Sequence, residues 1–288
     1  MAAAGGVRPA RRMQGVVALA HPFPSTLDAV AATSLGWLAG AAPIRAGAIG
    51  LAMLLLQSAI GATNDLADVA HDRLAKPAKP IPAGSVSPLT AGIIAVVAGA
   101  AGLALAFSLG AAPGLLAVAG LGTGLLYDLA LKRTVVSWLP YALGLPLLPA
   151  YAWVAARNAL PVAFPLLVGL AMLAGAALSL ANGLADRPDD VSSGSSGLVV
   201  RLGERRAWRV LAALEACLLA GGGVGIAATA PGPGPIVLLV VGAIAVTGGT
   251  LATGDRRALL RRHGWEVQAV GIAVLAVALL AATNPPTG

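Results

Sequence analysis

The sequence predicts an all-α fold that crosses a membrane, and three observations carry the prediction. Apolar residues make up 58% of the 288 and charged residues only 11%, far from the balance of a water-soluble domain. Apolar stretches of about 18 to 22 residues recur along the chain, the length a helix needs to span a bilayer. Those stretches are unbroken runs of Ala, Leu, Val and Gly. They lack the alternation of a β-barrel, so helices are the remaining way to satisfy the backbone in lipid.

Apolar runs between Gly, Pro and charge breaks give nine transmembrane helices around a central cavity: 23–42, 46–66, 88–109, 111–131, 137–156, 162–183, 207–229, 234–253 and 265–284. A basic tail, 1–20, precedes the first. It has no short apolar core followed by a small-residue cleavage site, so the first helix itself is the expected insertion signal. That helix carries Asp28. The second ends in NDLADVAHD and leads into a long loop, 64–87. The fourth ends in YDLALKR. The sixth ends in NGLADRPDD and leads into a second long loop, 184–206. The seventh carries Glu215, and the chain closes on an uncharged TNPPTG tail. No linker divides the chain, so residues 1–288 are read as one domain.

The connections alternate in charge. Of the 19 Lys and Arg residues, all but Arg45 and Arg157 fall on one side of this topology. The positive-inside rule makes that side, with the N-terminus and both long loops, cytoplasmic. This placement accounts for the net charge of +7 without a nucleic-acid partner. The expected location is a prokaryotic plasma membrane with the active face toward the cytoplasm, and no obligate protein partner is evident. Trp138, Trp208 and Trp265 fall at inner helix ends and Trp37 and Trp153 near outer ends, where aromatic belts are expected. The lone Cys217 permits no intrachain disulfide, and His21, His71 and His263 lack metal-ligand spacing. GLGTG (120–124) and GGGVG (221–225) follow no strand, so they are read as helix-packing glycines and not as dinucleotide loops.

Asn64, Asp68 and Asp72 are four residues apart, on one face of a helix. The arrangement recurs as Asn182, Asp186 and Asp190, with Asp65 and Asp189 beside the two rows. Carboxylates this close repel unless a cation joins them. Mg²⁺ is bound by a few carboxylates and waters and is commonly completed by substrate phosphates. Arg73, Lys76, Lys79 and Lys132 stand nearby as partners for phosphate oxygens. Pro188 is expected to end the helix and to take Asp190 off the face of Asp186.

NDLADVAHD followed by KPAKPIPAG resembles the first signature of the UbiA superfamily of intramembrane prenyltransferases. NGLADRPDDVSSG resembles the second acidic motif, GLVVRLGERRA the segment that follows it, and YDLALK the Tyr-Lys motif between them. The resemblance implies Mg²⁺-dependent transfer of a prenyl group from a prenyl diphosphate to an electron-rich, hydrophobic acceptor. Such an acceptor is an aromatic or quinone precursor, a tetrapyrrole or a lipid alcohol. It implies metal ligation by Asp65, Asp68, Asp72, Asp186 and Asp190, and substrate contacts from Asn64, Arg73, Lys76, Lys79, Asn182 and Arg133. Catalytic roles fall to Asp68, Asp72, Asp186, Lys132 and Tyr127. Two departures stand out: Lys76 and Lys79 replace the arginines of the usual RPxRP segment, and Asn182 stands where many members have Asp. The alternatives are a relative that binds or carries a terpenoid lipid without turnover, and a secondary transporter. The transporter would place its ionisable groups at mid-membrane. Asp28 and Glu215, as intramembrane acids, are expected to face the bundle interior and to orient an acceptor or take its proton.

Overall fold

The structure is a computed structural model that describes residues 9–255 and 257–284. Arg8, Arg256 and the end of the TNPPTG tail lie outside the described residues. The regular structure described is entirely helical. It consists of α1 (Pro9–Leu19), α2 (Pro22–Leu38), α3 (Pro43–Ala67), α4 (Val69–Ala75), α5 (Pro88–Ser108) and α6 (Ala111–Leu126), the last continuing into a π turn over Tyr127–Leu131. Then come α7 (Trp138–Gly144), α8 (Leu147–Arg157), α9 (Phe164–Ser192), α10 (Leu198–Leu202), α11 (Glu204–Ala227), α12 (Pro233–Thr253) and α13 (Ala258–Thr283).

Prolines sit in the first turn of α2, α3, α5, α9 and α12. Their missing N–H would have no helical partner there, and their fixed φ suits a helix start. Eight segments among the described residues are long and apolar enough to cross a bilayer, with α6 plus its π turn and α7 plus α8 each forming one. At 17 residues, α2 stands at the short end of the spanning range, about 17 to 25. The protein is an integral membrane protein.

Long-range packing holds the bundle around a buried core shared by α2, α3, α8, α9, α11 and α13. Tyr151 on α8 donates its hydroxyl to the Ile49 carbonyl at 3.2 Å, which fixes α8 against α3. The α12–α13 hairpin is closely packed through glycines. A Cβ on Gly249 would lie 2.6 Å from the Gly264 carbonyl oxygen, so any side chain there would push the helices apart. Within the GLGTG and GGGVG tracts, Gly124 meets Ile60 and Gly225 meets Leu166 in the same way, the packing role expected of them.

Three expectations change. Trp153 is not in an interfacial belt: it is 1% exposed and packed in the core, because α8 is enclosed by its neighbours over most of its length. The 64–87 and 184–206 segments are only partly loops. Helix α4 follows α3 after a single residue, Asp68, and the bonds Asp68 N–H to Asn64 O and Asp72 N–H to Asp68 O carry the i to i−4 ladder across the join. Helix α9 runs through Pro188 to Ser192. Proline removes one donor, yet the ladder resumes beyond it, and the end is closed by Ser193, whose N–H and hydroxyl both donate to the Asp189 carbonyl.

Candidate functional site

The acidic rows converge at one end of the bundle. Asp65, Asp68 and Asp72 are 2%, 5% and 2% exposed, a burial that isolated carboxylates do not sustain. Each is compensated by a cation from elsewhere in the chain. Lys79 Nζ lies 2.9 Å from Asp65 Oδ1 and 2.8 Å from Asp72 Oδ2, bridging the two. Lys132 pairs with Asp68 Oδ2, and Arg133 Nη2 donates to Asp68 Oδ1 at 2.9 Å. His21, at the start of α2, shares Asp65 Oδ1 through Nε2 at 3.0 Å.

Local sequence places these cations. The KPAKPIPAG segment folds back on itself because the Ser85 and Val86 N–H groups and the Ser85 hydroxyl all donate to the Pro80 carbonyl. Gly84 completes the turn at φ +69°, a conformation that glycine adopts without Cβ strain. Lys76 and Lys79 are thereby turned onto the acids. On the far side, the π turn widens the last turn of the α6 segment, with Lys132 N–H bonded to Tyr127 O at 2.9 Å. Single π turns recur at functional sites because they re-aim side chains. Here the turn directs Asp128 inward, where it is 7% exposed and accepts a 2.7 Å hydrogen bond from Asn64 Nδ2. Tyr127 stacks edge-to-face on Tyr141 at 5.0 Å, with Lys132 Nζ 6.0 Å above its ring.

The second row faces the first. Helix α4 packs on α9, Lys76 Nζ reaches Asp186 Oδ1 at 2.7 Å and His71 Nε2 approaches Asp190 Oδ1 at 3.8 Å. Asp186 and Asp190 thus point to the same neighbour despite Pro188, correcting the expectation that the proline would separate them. Arg73 is exposed and forms no ion pair among the described residues, so the structure does not bring it to the cluster. Asn182 is half-buried and makes no side-chain hydrogen bond among the described residues. Asp128, His21 and His71 are site residues that sequence reasoning missed. Asp128 lay within the YDLALK motif, but its neighbours drew the attention; the histidines had no spacing to mark them.

Lys79 registers the net charge of the site. Burial pushes its ammonium down, but Asp65 and Asp72 outweigh burial and hold it above the ordinary lysine value. Of six aspartates, Asp65, Asp68, Asp72 and Asp186 pair with four Lys and Arg side chains, whereas among the described residues Asp190 approaches only His71 and Asp128 is bonded only to Asn64, so carboxylates outnumber Lys and Arg in the cluster. Among the described residues Asp128 Oδ2 is buried without a hydrogen-bond donor, and Asp72 Oδ2 meets Lys79 without hydrogen-bond alignment. Among the described residues no three carboxylate or imidazole groups are already gathered into a metal cage. The donors are nonetheless hard oxygens with unsatisfied lone pairs at one depth, and they fit a divalent cation of the Mg²⁺ type that is completed by substrate oxygens.

Comparison with solved structures finds the same fold in three proteins. A UbiA homologue from Archaeoglobus fulgidus bound to DMAPP and Mg²⁺ is 18% identical, with 91% of this chain and 98% of that one covered at a TM-score of 0.71. The form of it bound to GPP and Mg²⁺ gives 17%, 92%, 99% and 0.69. The apo UbiA homologue from Aeropyrum pernix K1 is 22% identical, covering 88% and 96% at 0.71. A digeranylgeranylglyceryl phosphate synthase is 14% identical, covering 93% and 99% at 0.67. No curated protein matches the chain. The profile of the UbiA prenyltransferase family matches residues 23–263, and with that match extending over most of its length the chain belongs to this family.

Proposed function

We propose that the protein transfers a prenyl group from a prenyl diphosphate to a hydrophobic, electron-rich acceptor within the membrane, with Mg²⁺ as cofactor. The observation that carries this reading is the interleaving at one bundle end of two facing acidic rows with Lys76, Lys79, Lys132 and Arg133. A carrier has no need of a buried, charge-compensated cluster at one end of an apolar bundle. The reading is supported by the homologues solved with GPP or DMAPP and Mg²⁺. The excess of Lys and Arg on the same side makes the cytoplasm the side from which diphosphate enters.

Asp65, Asp68, Asp72, Asp186 and Asp190 would hold the metal, with Asp128 beside them. Bound there, Mg²⁺ neutralises charge on the diphosphate and stabilises it as a leaving group. Lys79, Lys132 and Arg133 bind diphosphate oxygens and add fixed positive charge where negative charge develops. Lys76 and His71 tie the second row to the first, so substrate entry separates or rearranges those two pairs. The Tyr127 ring, packed on Tyr141, walls the site on its membrane side. Once the allylic C–O bond breaks and the diphosphate leaves with its electron pair, the apolar bundle below keeps water from the allylic cation, so the acceptor bonds the prenyl carbon and then releases a proton.

The test uses membranes containing the protein, labelled geranyl, farnesyl and geranylgeranyl diphosphates and an acceptor panel, with Mg²⁺ or EDTA. Mg²⁺-dependent prenylated product is expected. Diphosphate binding without product from any acceptor would move the protein to the carrier class.

A further inference from the structure

A cavity of about 100 Å³ lies between α2, α8, α9, α11 and α13. Its walls are Leu, Ile, Ala, Gly and Pro except at Asp28 on α2, the only polar side chain that lines it among the described residues. Asp28 sits near the end of the cavity closest to the acidic rows: Leu178, on the facing wall, is one helical turn from Asn182. Gln57, eight residues before Asp65 on α3, donates through Nε2 to Asp28 Oδ2. At about 1.5 Å per residue the pair lies roughly 10 to 12 Å from the level of Asp65, beyond the diphosphate and toward the membrane centre.

The pairing is one-sided. Gln57 satisfies Oδ2, while Oδ1 accepts no hydrogen bond among the described residues. A polar group held in an apolar chamber with one acceptor left open is poised for a donor that arrives with a ligand. The charge pattern narrows that ligand further. Among the described residues no Lys, Arg or His lines the cavity. One turn from the lining residue Leu218, Glu215 is 3% exposed, and neither of its carboxylate oxygens has a donor among the described residues. An anionic headgroup entering here would meet carboxylates and no counter-ion, which a low-dielectric chamber strongly disfavours.

Resting on the prenyl-transfer reading above, we propose that this cavity receives the acceptor and that Asp28 Oδ1 takes a hydrogen bond from the hydroxyl of a neutral, lipid-soluble acceptor. Hydroxyl-bearing lipids and phenols are admitted, and aromatic carboxylates are excluded. Asp28 binds and orients the acceptor, and Gln57 positions Asp28.

The test measures direct binding, so it needs no turnover. Purified protein in detergent is titrated with tritiated para-dodecylphenol, its methyl ether and para-dodecylbenzoate, first without and then with Mg²⁺ and geranylgeranyl diphosphate. The phenol should bind at least about tenfold more tightly than either analogue, and Asp28→Leu should remove that preference. Mg²⁺-dependent diphosphate binding by Asp28→Leu serves as the folding control and should persist. Ala273→Phe, which fills the cavity, should weaken the phenol and the ether alike. Benzoate binding as tight as phenol, or an unchanged phenol preference in Asp28→Leu, would overturn the proposal. So would an Ala273→Phe variant that shortens the longest diphosphate accepted but leaves phenol binding intact, because the chamber would then hold the donor chain. Hydroxyl-selective binding in a protein that never forms product would refute the transfer reading while leaving the acceptor chamber standing.

Discussion

The two acidic rows look alike in sequence, and the fold treats them differently. Asp65, Asp68 and Asp72 are almost wholly buried and each touches at least one Lys, Arg or His. The side chains of Asp186 and Asp190 remain 39% and 30% exposed, with one ion pair apiece. The first row is built on a nearly continuous helix pair and is closed over by the KPAKPIPAG turn and the π turn. The second projects from the end of α9 into more open space. On the proposed function, the first row would be the fixed binding element and the second the side where substrate enters, since exposed charges cost less to rearrange than buried ones.

The largest effect expected from breaking this contrast is that of Asp68→Asn. It should lower Mg²⁺-dependent turnover about a thousandfold, corresponding to ~4 kcal/mol of transition-state stabilisation, measured as product formed from labelled geranylgeranyl diphosphate. Lys79→Met comes next. It leaves Asp65 and Asp72 buried without their shared ammonium, and removing one partner of a buried pair costs about 3 kcal/mol; thermal unfolding in detergent should register it, whereas Lys76→Met at the open row should shift unfolding far less. Asp186→Asn should reduce turnover by only about ten- to a hundredfold, and Asp190→Asn by less than that. Equal losses from Asp68→Asn and Asp190→Asn would erase the distinction between the rows.

The smallest effect is the pH dependence of Lys79. Its folded-state value is raised above the ordinary 10.5, so the pair's contribution to stability is fully present below that value and is lost as pH rises through the folded one. Stability should therefore be indifferent to Lys79 titration at neutral pH. Only above about pH 10.5 should wild-type protein lose stability that Lys79→Met lacks from the start.

Much of this contrast was legible in the sequence, and its limits have physical causes. Four-residue spacing placed Asn64, Asp68 and Asp72 on one helix face, and the structure keeps that face through the join at Asp68. It also brings Lys76, Lys79, Lys132 and Arg133 to the cluster. Arg73, three residues from Lys76, is exposed instead: with Leu74 it falls on the outward face of α4, directly after the buried Asp72. The helix-breaking character of proline overstated the power of Pro188 to stop a helix: a missing donor is a local loss, and the residues after it recover the ladder. Asp128 escaped notice because its inward aim depends on the π turn, and ordinary helical spacing does not register that extra residue. His21 and Trp153 are defined by long-range neighbours, Asp65 for one and the enclosed α8 for the other, and contacts of that kind leave no local pattern.

The central claim is that the buried first row binds a prenyl diphosphate through Mg²⁺, and equilibrium binding of labelled geranylgeranyl diphosphate to the purified protein tests it most directly. Wild-type protein should bind with Mg²⁺ and lose at least about a hundredfold in affinity in EDTA, a drop that Asp68→Asn should reproduce with the metal present. Affinity that is the same with Mg²⁺, with EDTA and in Asp68→Asn would contradict it.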